Sequence, residues 1–195
     1  MNASEFGCGA GHQLAITAAK AGWELTDFTS LTQSEDKCRQ VLTYLRGLSE
    51  IRPIEHLIDF DKAPSVPEGW MIVPDSEQLP NRVRGVIKFT PAMVKLHLDA
   101  GQKNGKVIEG NELRKKLDKV PVYGAQLGDF YMANPHLIPE DWKGNAIFFW
   151  GTIYRNAGGN LCVRCLCWDG DGWVWGCRWL VDGWSDSRPA AVSAS

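Results

Sequence analysis

The chain has 195 residues, a formal net charge of −2, and 44% hydrophobic against 23% charged residues, which is the balance of a globular protein and excludes a disordered or fibrous one. That length buries a substantial core without disulfide or metal staples, in one domain or two small ones. No apolar run approaches the ~20 residues that span a bilayer, and Met1-Asn2-Ala3-Ser4-Glu5 lacks the features of a signal peptide, so a cytoplasmic protein with reduced thiols and no membrane contact is expected.

The glycine-rich lead Phe6-Gly7-Cys8-Gly9-Ala10-Gly11 lacks the Lys-Ser/Thr pair of a phosphate loop, and no strand precedes it. His12 to Ala21 then places Leu14, Ala18 and Ala21 at helical spacing, with Gly22 as a stop signal. Thr26 to Leu31 reads as a short helix and Ser34 to Leu48 as the strongest one. In the latter, Ser34 caps, Glu35 and Asp36 suit the positive end of the dipole, and Cys38, Val41, Leu42, Leu45 and Leu48 form an apolar stripe. Three such helices outline a helix-turn-helix DNA reader, but the third opens with two acids, which suits phosphates poorly.

On a helix, Glu55, His56 and Asp59 would cluster as carboxylates and an imidazole. The plainer reading is a surface turn into a proline-rich link at 63–81, where Pro64, Pro67, Pro74 and Pro80 break regular structure and mark a subdomain boundary. Arg82 to Phe89 reads as a strand. After it, Thr90-Pro91 suits a helix start and Val94 to Leu98 alternates as a strand would, and the pattern leaves both open. Asn111 caps a short helix with Leu113 and Leu117 inside, and a further helix over Gly124 to Ala133 buries Leu127, Phe130 and Tyr131. Residues 82–119 hold ten Lys or Arg against four acids. Such a block meets phosphate backbones, through Arg82, Arg84, Arg114, Lys115 and Lys116, or answers the acidic remainder of the chain; the lack of interleaved aromatics favours the second.

The stretch from Asn145 onward holds six of the nine tryptophans and four of the six cysteines. Turn signals at 156–160 and 169–172 divide it into three aromatic and aliphatic runs, the pattern of an antiparallel meander over 145–184. Side chains alternate across a strand. Parity puts Trp173, Trp175, Cys177 and Trp179 on one face, with Val174, Gly176, Arg178 and Leu180 on the other. Leu161, Val163, Cys165 and Cys167 oppose Cys162, Arg164, Leu166 and Trp168; Ile147, Phe149, Gly151 and Ile153 oppose Phe148, Trp150, Thr152 and Tyr154. One face is expected to meet the rest of the protein and the other to carry indoles with Arg164 and Arg178 among them. Those rings fill a core or form a recognition surface.

Cys162-Val163-Arg164-Cys165 has the spacing of a zinc-binding pair, yet within a strand the two sulfurs fall on opposite faces. Cys165, Cys167 and Cys177 offer three thiolates and no obvious fourth ligand, so neither metal nor cofactor is expected and the thiols read as small hydrophobes. A bridge between neighbouring strands is left open. No GxSxG or HExxH motif occurs, and His12, His56, His97 and His136 lie far apart. Catalysis is not expected; a cleft joining His56, Asp59 or Cys38 would argue for it.

His56-Leu57-Ile58-Asp59, Ile108 to Arg114, His136 to Lys143, Phe149 to Arg155 and Pro189-Ala190-Ala191-Val192 together resemble a family of short bacterial proteins from uncultivated, reduced-genome lineages, which end in a tryptophan-rich Trp-Gly-Thr-Ile-Tyr-Arg region. The resemblance covers nearly the whole chain and implies no particular activity, cofactor or site residue. Cysteines 162, 165 and 167 depart from the Val, Tyr or Leu types expected there, which suits a packing role.

The sequence therefore predicts an α+β protein, with a helical subdomain at 1–62, a link at 63–81 and an α+β region at 82–195 that ends in the meander. Its expected function is non-catalytic binding of a protein or saccharide through Trp150, Arg164, Trp168, Trp173, Trp175, Arg178 and Trp179. The alternatives are a nucleic-acid-associated regulator using the basic block, and an enzyme of another type.

Overall fold

A computed structural model of the protein describes residues 8–50 and 54–194. The chain forms two compact units, residues 1–54 and 55–195. In the first, α1 spans Cys8–Lys20, α2 Leu25–Thr32 and α3 Glu35–Leu45; Phe6 and Gly7 of the glycine-rich lead lie outside the described residues. The Glu24 N–H donates to Asp27 Oδ2 at 2.8 Å at the entry of α2, and the Lys37 N–H donates to Ser34 Oγ at 3.3 Å to cap α3. α3 stops at Leu45 rather than Leu48, because Gly47 adopts φ +68°, a left-handed conformation that ends helices. Among the described residues of this unit only Ala18 is buried, and Leu45 and Leu48 are more than 70% exposed.

The second unit contains β1 (His56–Asp59), β2 (Met71–Ile72), β3 (Val86–Phe89), β4 (Val94–His97), β5 (Ile108–Glu109), α4 (Gly110–Lys116), α5 (Ala125–Ala133), β6 (Ala146–Arg155), β7 (Leu161–Trp168), β8 (Trp173–Trp179), β9 (Gly183–Trp184) and β10 (Ala190–Ser193). The fold is α+β, and β6, β7 and β8 form the expected antiparallel meander. The main sheet runs β4-β10-β6-β7-β8, with β2 paired to the far end of β6. β10 lies parallel to β6 and antiparallel to β4, which makes the sheet mixed. Two small ladders, β1 with β3 and β5 with β9, complete the unit.

Three local readings change. His56–Asp59 is neither a helix nor a turn but a strand, paired through four residues with Val86–Phe89, and the predicted strand from Arg82 shortens to that segment. Both readings after Thr90 hold, as Pro91–Met93 makes one tight helical turn before β4. Residues 63–81 lie inside the second unit, where Val73 and Leu79 are buried and Met71-Ile72 extends the sheet.

Both faces of the sheet are covered. One packs Ile147, Phe149, Tyr154, Cys162 and Leu166 against Leu127 and Tyr131 of α5, with Phe60 and Phe89 beyond. The other packs Phe148, Trp150, Ile153, Val163 and Cys165 against Leu113 and Leu117, with Trp184, Val73 and Leu79. Helix α5 carries a glycine where the sheet comes closest. A Cβ on Gly128 would sit 2.1 Å from Trp175 Cη2 and 2.7 Å from Phe149 Cε2, so the missing side chain is the space the indole fills.

Two effects compete when Gly128 becomes alanine. Helix propensity gains about 1 kcal/mol, whereas forcing a methyl into packed rings costs about 1–3 kcal/mol. Because two rings would have to move, the steric term wins, and Gly128→Ala is expected to lower the urea unfolding midpoint. A raised midpoint would show that Trp175 does not rest on α5.

Candidate interaction surface

The parity expected for β7 and β8 holds throughout, since their register is continuous from Cys162↔Trp179 to Trp168↔Trp173. Trp173, Trp175 and Trp179 pack on the α5 side with Cys162 and Leu166, while Leu180 joins the opposite core. β6 behaves differently. Its register jumps between Phe148↔Cys165 and Ile153↔Val163, so residues 149–152 stand opposite Arg164 alone and alternation resets. Trp150 and Tyr154, expected on one face, therefore lie on opposite faces. Trp150 is fully buried with its ring centroid 4.6 Å from that of Trp184.

The α5 side carries the half-buried indoles in a row. Trp168 and Trp173 meet edge to face at 5.8 Å, with Lys143 Nζ 4.0 Å from the Trp168 centroid. In the middle, Arg164 lies 3.8 Å from the Trp175 ring centroid. At the far end Trp179 meets Trp70 at 5.7 Å. The sequence reading missed Trp70, whose position after Gly69 in a proline-rich stretch was the available signal.

Arg164 is only 8% exposed and is spent internally. It donates to the Ser65 carbonyl at 3.1 Å and to Ser65 Oγ at 2.9 Å. The Tyr154 hydroxyl donates to the same carbonyl at 3.0 Å, and the Ser65 N–H and hydroxyl both donate to Asp129 of α5. This network seats the 63–69 segment on the sheet. Burial pushes the Tyr154 phenol above its ordinary range, with Arg164 opposing. Arg178 is half-buried and donates through Nε to the Gly183 carbonyl at 2.7 Å.

The five expected phosphate-binding cations are all engaged. Arg82 and Arg84 clamp Asp75 at 2.7 and 2.8 Å, and the Arg84 hydrogen bond holds the Asp75 carboxyl below its usual range. Arg114 donates to the Glu77 carbonyl, Lys115 pairs with Glu112 at 2.6 Å, and Lys116 lies 3.9 Å from Asp99. Arg82 and Arg84 also line an open cleft of about 280 Å³ with Asp61, Asp75, Gln126 and Thr152, in which no histidine or cysteine takes part.

Cys38, Cys162, Cys165, Cys167 and Cys177 are free thiols. Gly176 faces the sulfurs of Cys165 and Cys167, whereas Cys177 shares the opposite face with Trp175, so the three thiolates considered together from sequence do not converge. Among the described residues no group of three His, Cys, Asp or Glu side chains is placed to hold a metal, and no helix is long and apolar enough to cross a membrane.

The β8 edge of the sheet is the remaining feature. Among the described residues, β8 pairs with β7 alone. The Leu180 N–H donates to the Leu161 carbonyl and the Asp169 N–H to the Gly172 carbonyl, which fixes Val174, Gly176 and Arg178 as the residues that bond β7. The main-chain groups of Trp173, Trp175, Cys177 and Trp179 consequently point outward. The Trp179 carbonyl accepts from the Asp182 N–H at 3.1 Å. Among the described residues, the N–H and C=O groups of Trp173, Trp175 and Cys177 meet no protein partner.

No protein-family model, no curated protein and no solved structure matches the chain.

Thiol chemistry checks that geometry. Burial pushes Cys162 and Cys165 up to about 12 from 9.0. A raised folded-state value means the native protein holds protons that the unfolded chain releases, so this contribution to stability is intact below pH 9 and is lost as pH rises toward 12. The urea midpoint is expected to fall between pH 9 and 11, and less steeply in Cys165→Val. At pH 8 a thiol reagent is expected to modify the exposed Cys38 promptly, and Cys162 and Cys165 only on unfolding.

Proposed function

We propose that this protein is a non-catalytic binding module that takes an extended protein segment along β8. The observation that carries the reading is the row of outward main-chain groups at Trp173, Trp175 and Cys177, which lacks partners among the described residues and runs beside half-buried indoles. Strand addition draws affinity from such main-chain groups and selectivity from the side chains that flank them. Trp168, Trp173, Trp175 and Trp179 supply rigid apolar area at small entropic cost, as interface anchors do. Arg164 acts behind them by holding Trp175 in place, and Arg178 flanks the edge on the other face. A protein segment is favoured over a saccharide because a sugar leaves the strand edge unused. The nucleic-acid alternative loses support from the pairing of Arg82, Arg84, Arg114, Lys115 and Lys116 with groups of this chain.

The test is a displayed library of short extended peptides selected against the whole protein. Cys177→Pro removes one outward N–H and spares the β7 ladder, a position where an edge strand tolerates proline. Peptides selected on the parent are expected to bind this variant at least tenfold more weakly, with its tryptophan emission unchanged. Raising salt from about 50 to 200 mM is expected to leave affinity nearly constant, whereas 6–10 phosphate contacts would cost roughly a thousandfold or more. Equal binding to parent and variant, or a steep salt dependence, would overturn the reading.

A further inference from the structure

We infer that the extended segment that fits β8 is β8 of a second copy of this chain, paired antiparallel about a two-fold axis through Trp175. This rests on the reading of β8 as the binding edge and names its partner. Among the described residues, those of β8 with both outward main-chain groups unpartnered are Trp173, Trp175 and Cys177, a set symmetric about Trp175. An isologous contact requires that kind of self-complementarity, because each copy presents the same patch to the other. In this register Trp175 faces Trp175 of the other copy and Trp173 faces Cys177. Each such pair exchanges two N–H to C=O bonds, so three pairs use the free N–H and C=O groups of Trp173, Trp175 and Cys177 on both edges. Moving the axis to Gly176 would call on the Trp179 carbonyl, which already accepts from the Asp182 N–H. Moving it to Val174 would set Cys177 against Asp171, whose N–H already donates to Asp169 Oδ1 at 3.0 Å.

The side chains agree with the hydrogen bonds. Val174 faces Gly176, so no bulk collides on that side, and Trp173 covers the exposed Cys177 on the other. The same register sets Arg178 of each copy opposite Gly172, beside the acidic hairpin Asp169-Gly170-Asp171 of the other. No like charges meet along the paired stretch, whereas edges that avoid pairing place charges there.

The test combines assembly state with a register-specific cross-link. The full chain is expected to sediment as a dimer at tens of micromolar, with Cys177 protected from thiol reagents in proportion to the dimer formed. Trp173→Cys places a thiol opposite Cys177 of the other copy, at the roughly 5.5 Å Cα separation of a hydrogen-bonded pair, which a disulfide can bridge. Mild oxidation is expected to give a covalent dimer joined through Cys177, and Trp173→Cys with Cys177→Ser is expected not to form it. Cys177→Pro, the fold-sparing variant, is expected to weaken dimerisation at least tenfold. A monomer that still binds peptides selected at β8 would overturn self-pairing and leave the proposed function standing. A monomer that binds no such peptide would remove both. A dimer that does not cross-link through Cys177 and is indifferent to Cys177→Pro would overturn the inference by placing its interface elsewhere.

Discussion

Much of the second unit depends on the irregularity in the middle of β6. Four residues, 149–152, stand against the single Arg164 of β7, and the strand can sustain that only if its freed main-chain groups find other partners. The Gly151 N–H donates to the Tyr123 carbonyl at 2.9 Å, and the Thr152 side chain adds to it, its Oγ1 accepting from the Ala125 N–H at 3.0 Å, which pins the start of α5 to the bulge. Gln78 closes the other side, its amide accepting from the Ile153 N–H and donating to the Ile153 carbonyl. A buried side chain thus stands in for a strand. The bulge directs Trp150 toward α4 and Tyr154 toward α5, and both faces of the sheet become cores.

Arg164 stands directly across from that irregularity and joins three elements. A buried cation is costly unless its donors are used and its charge is met. Here the guanidinium spends its donors on Ser65, faces an indole, and is linked through Ser65 to the Asp129 carboxylate. A desolvated contact between cation and ring contributes about 2 kcal/mol. The arrangement ties the proline-rich 63–69 segment, α5 and β7 into one body. It also holds Trp175 where its ring is half-buried while its main chain remains at the sheet edge.

How much of this was legible in the sequence follows from distance along the chain and from interruptions of pattern. Parity placed every residue of β7 and β8 correctly, because those strands are continuous and joined by a short hairpin. It failed on β6 past Gly151, although an isolated glycine inside a strand is a recognised bulge signal. The alternation of His56 to Asp59 is too short to separate a strand from a turn, and only its partner some 30 residues later decides it. The partners of Arg82 and Arg84 were equally hidden: a charge count shows an excess of cations, and only the folded chain brings Asp75 between them. The outward direction of the β8 main chain does not follow from side-chain parity; it follows from which pairs of the β7–β8 register are hydrogen-bonded.

The place of β10 in the sheet carries a kinetic consequence. Among the described residues β4 has no strand neighbour other than β10, and Lys95 pairs with Val192, so nearly a hundred residues separate the two halves of one ladder. Contacts of that span pay their loop-closure entropy before they return any stability, and chains dominated by them fold slowly. At a synthesis rate of about 5–20 residues per second, β4 is made roughly 5–20 s before its partner. During that interval it is a strand with two open edges, and β6 lacks its neighbour on one side. The edge most exposed to mispairing is therefore not that of β8. It is the side of β4 that ends up covered, which must wait for the last strand to arrive.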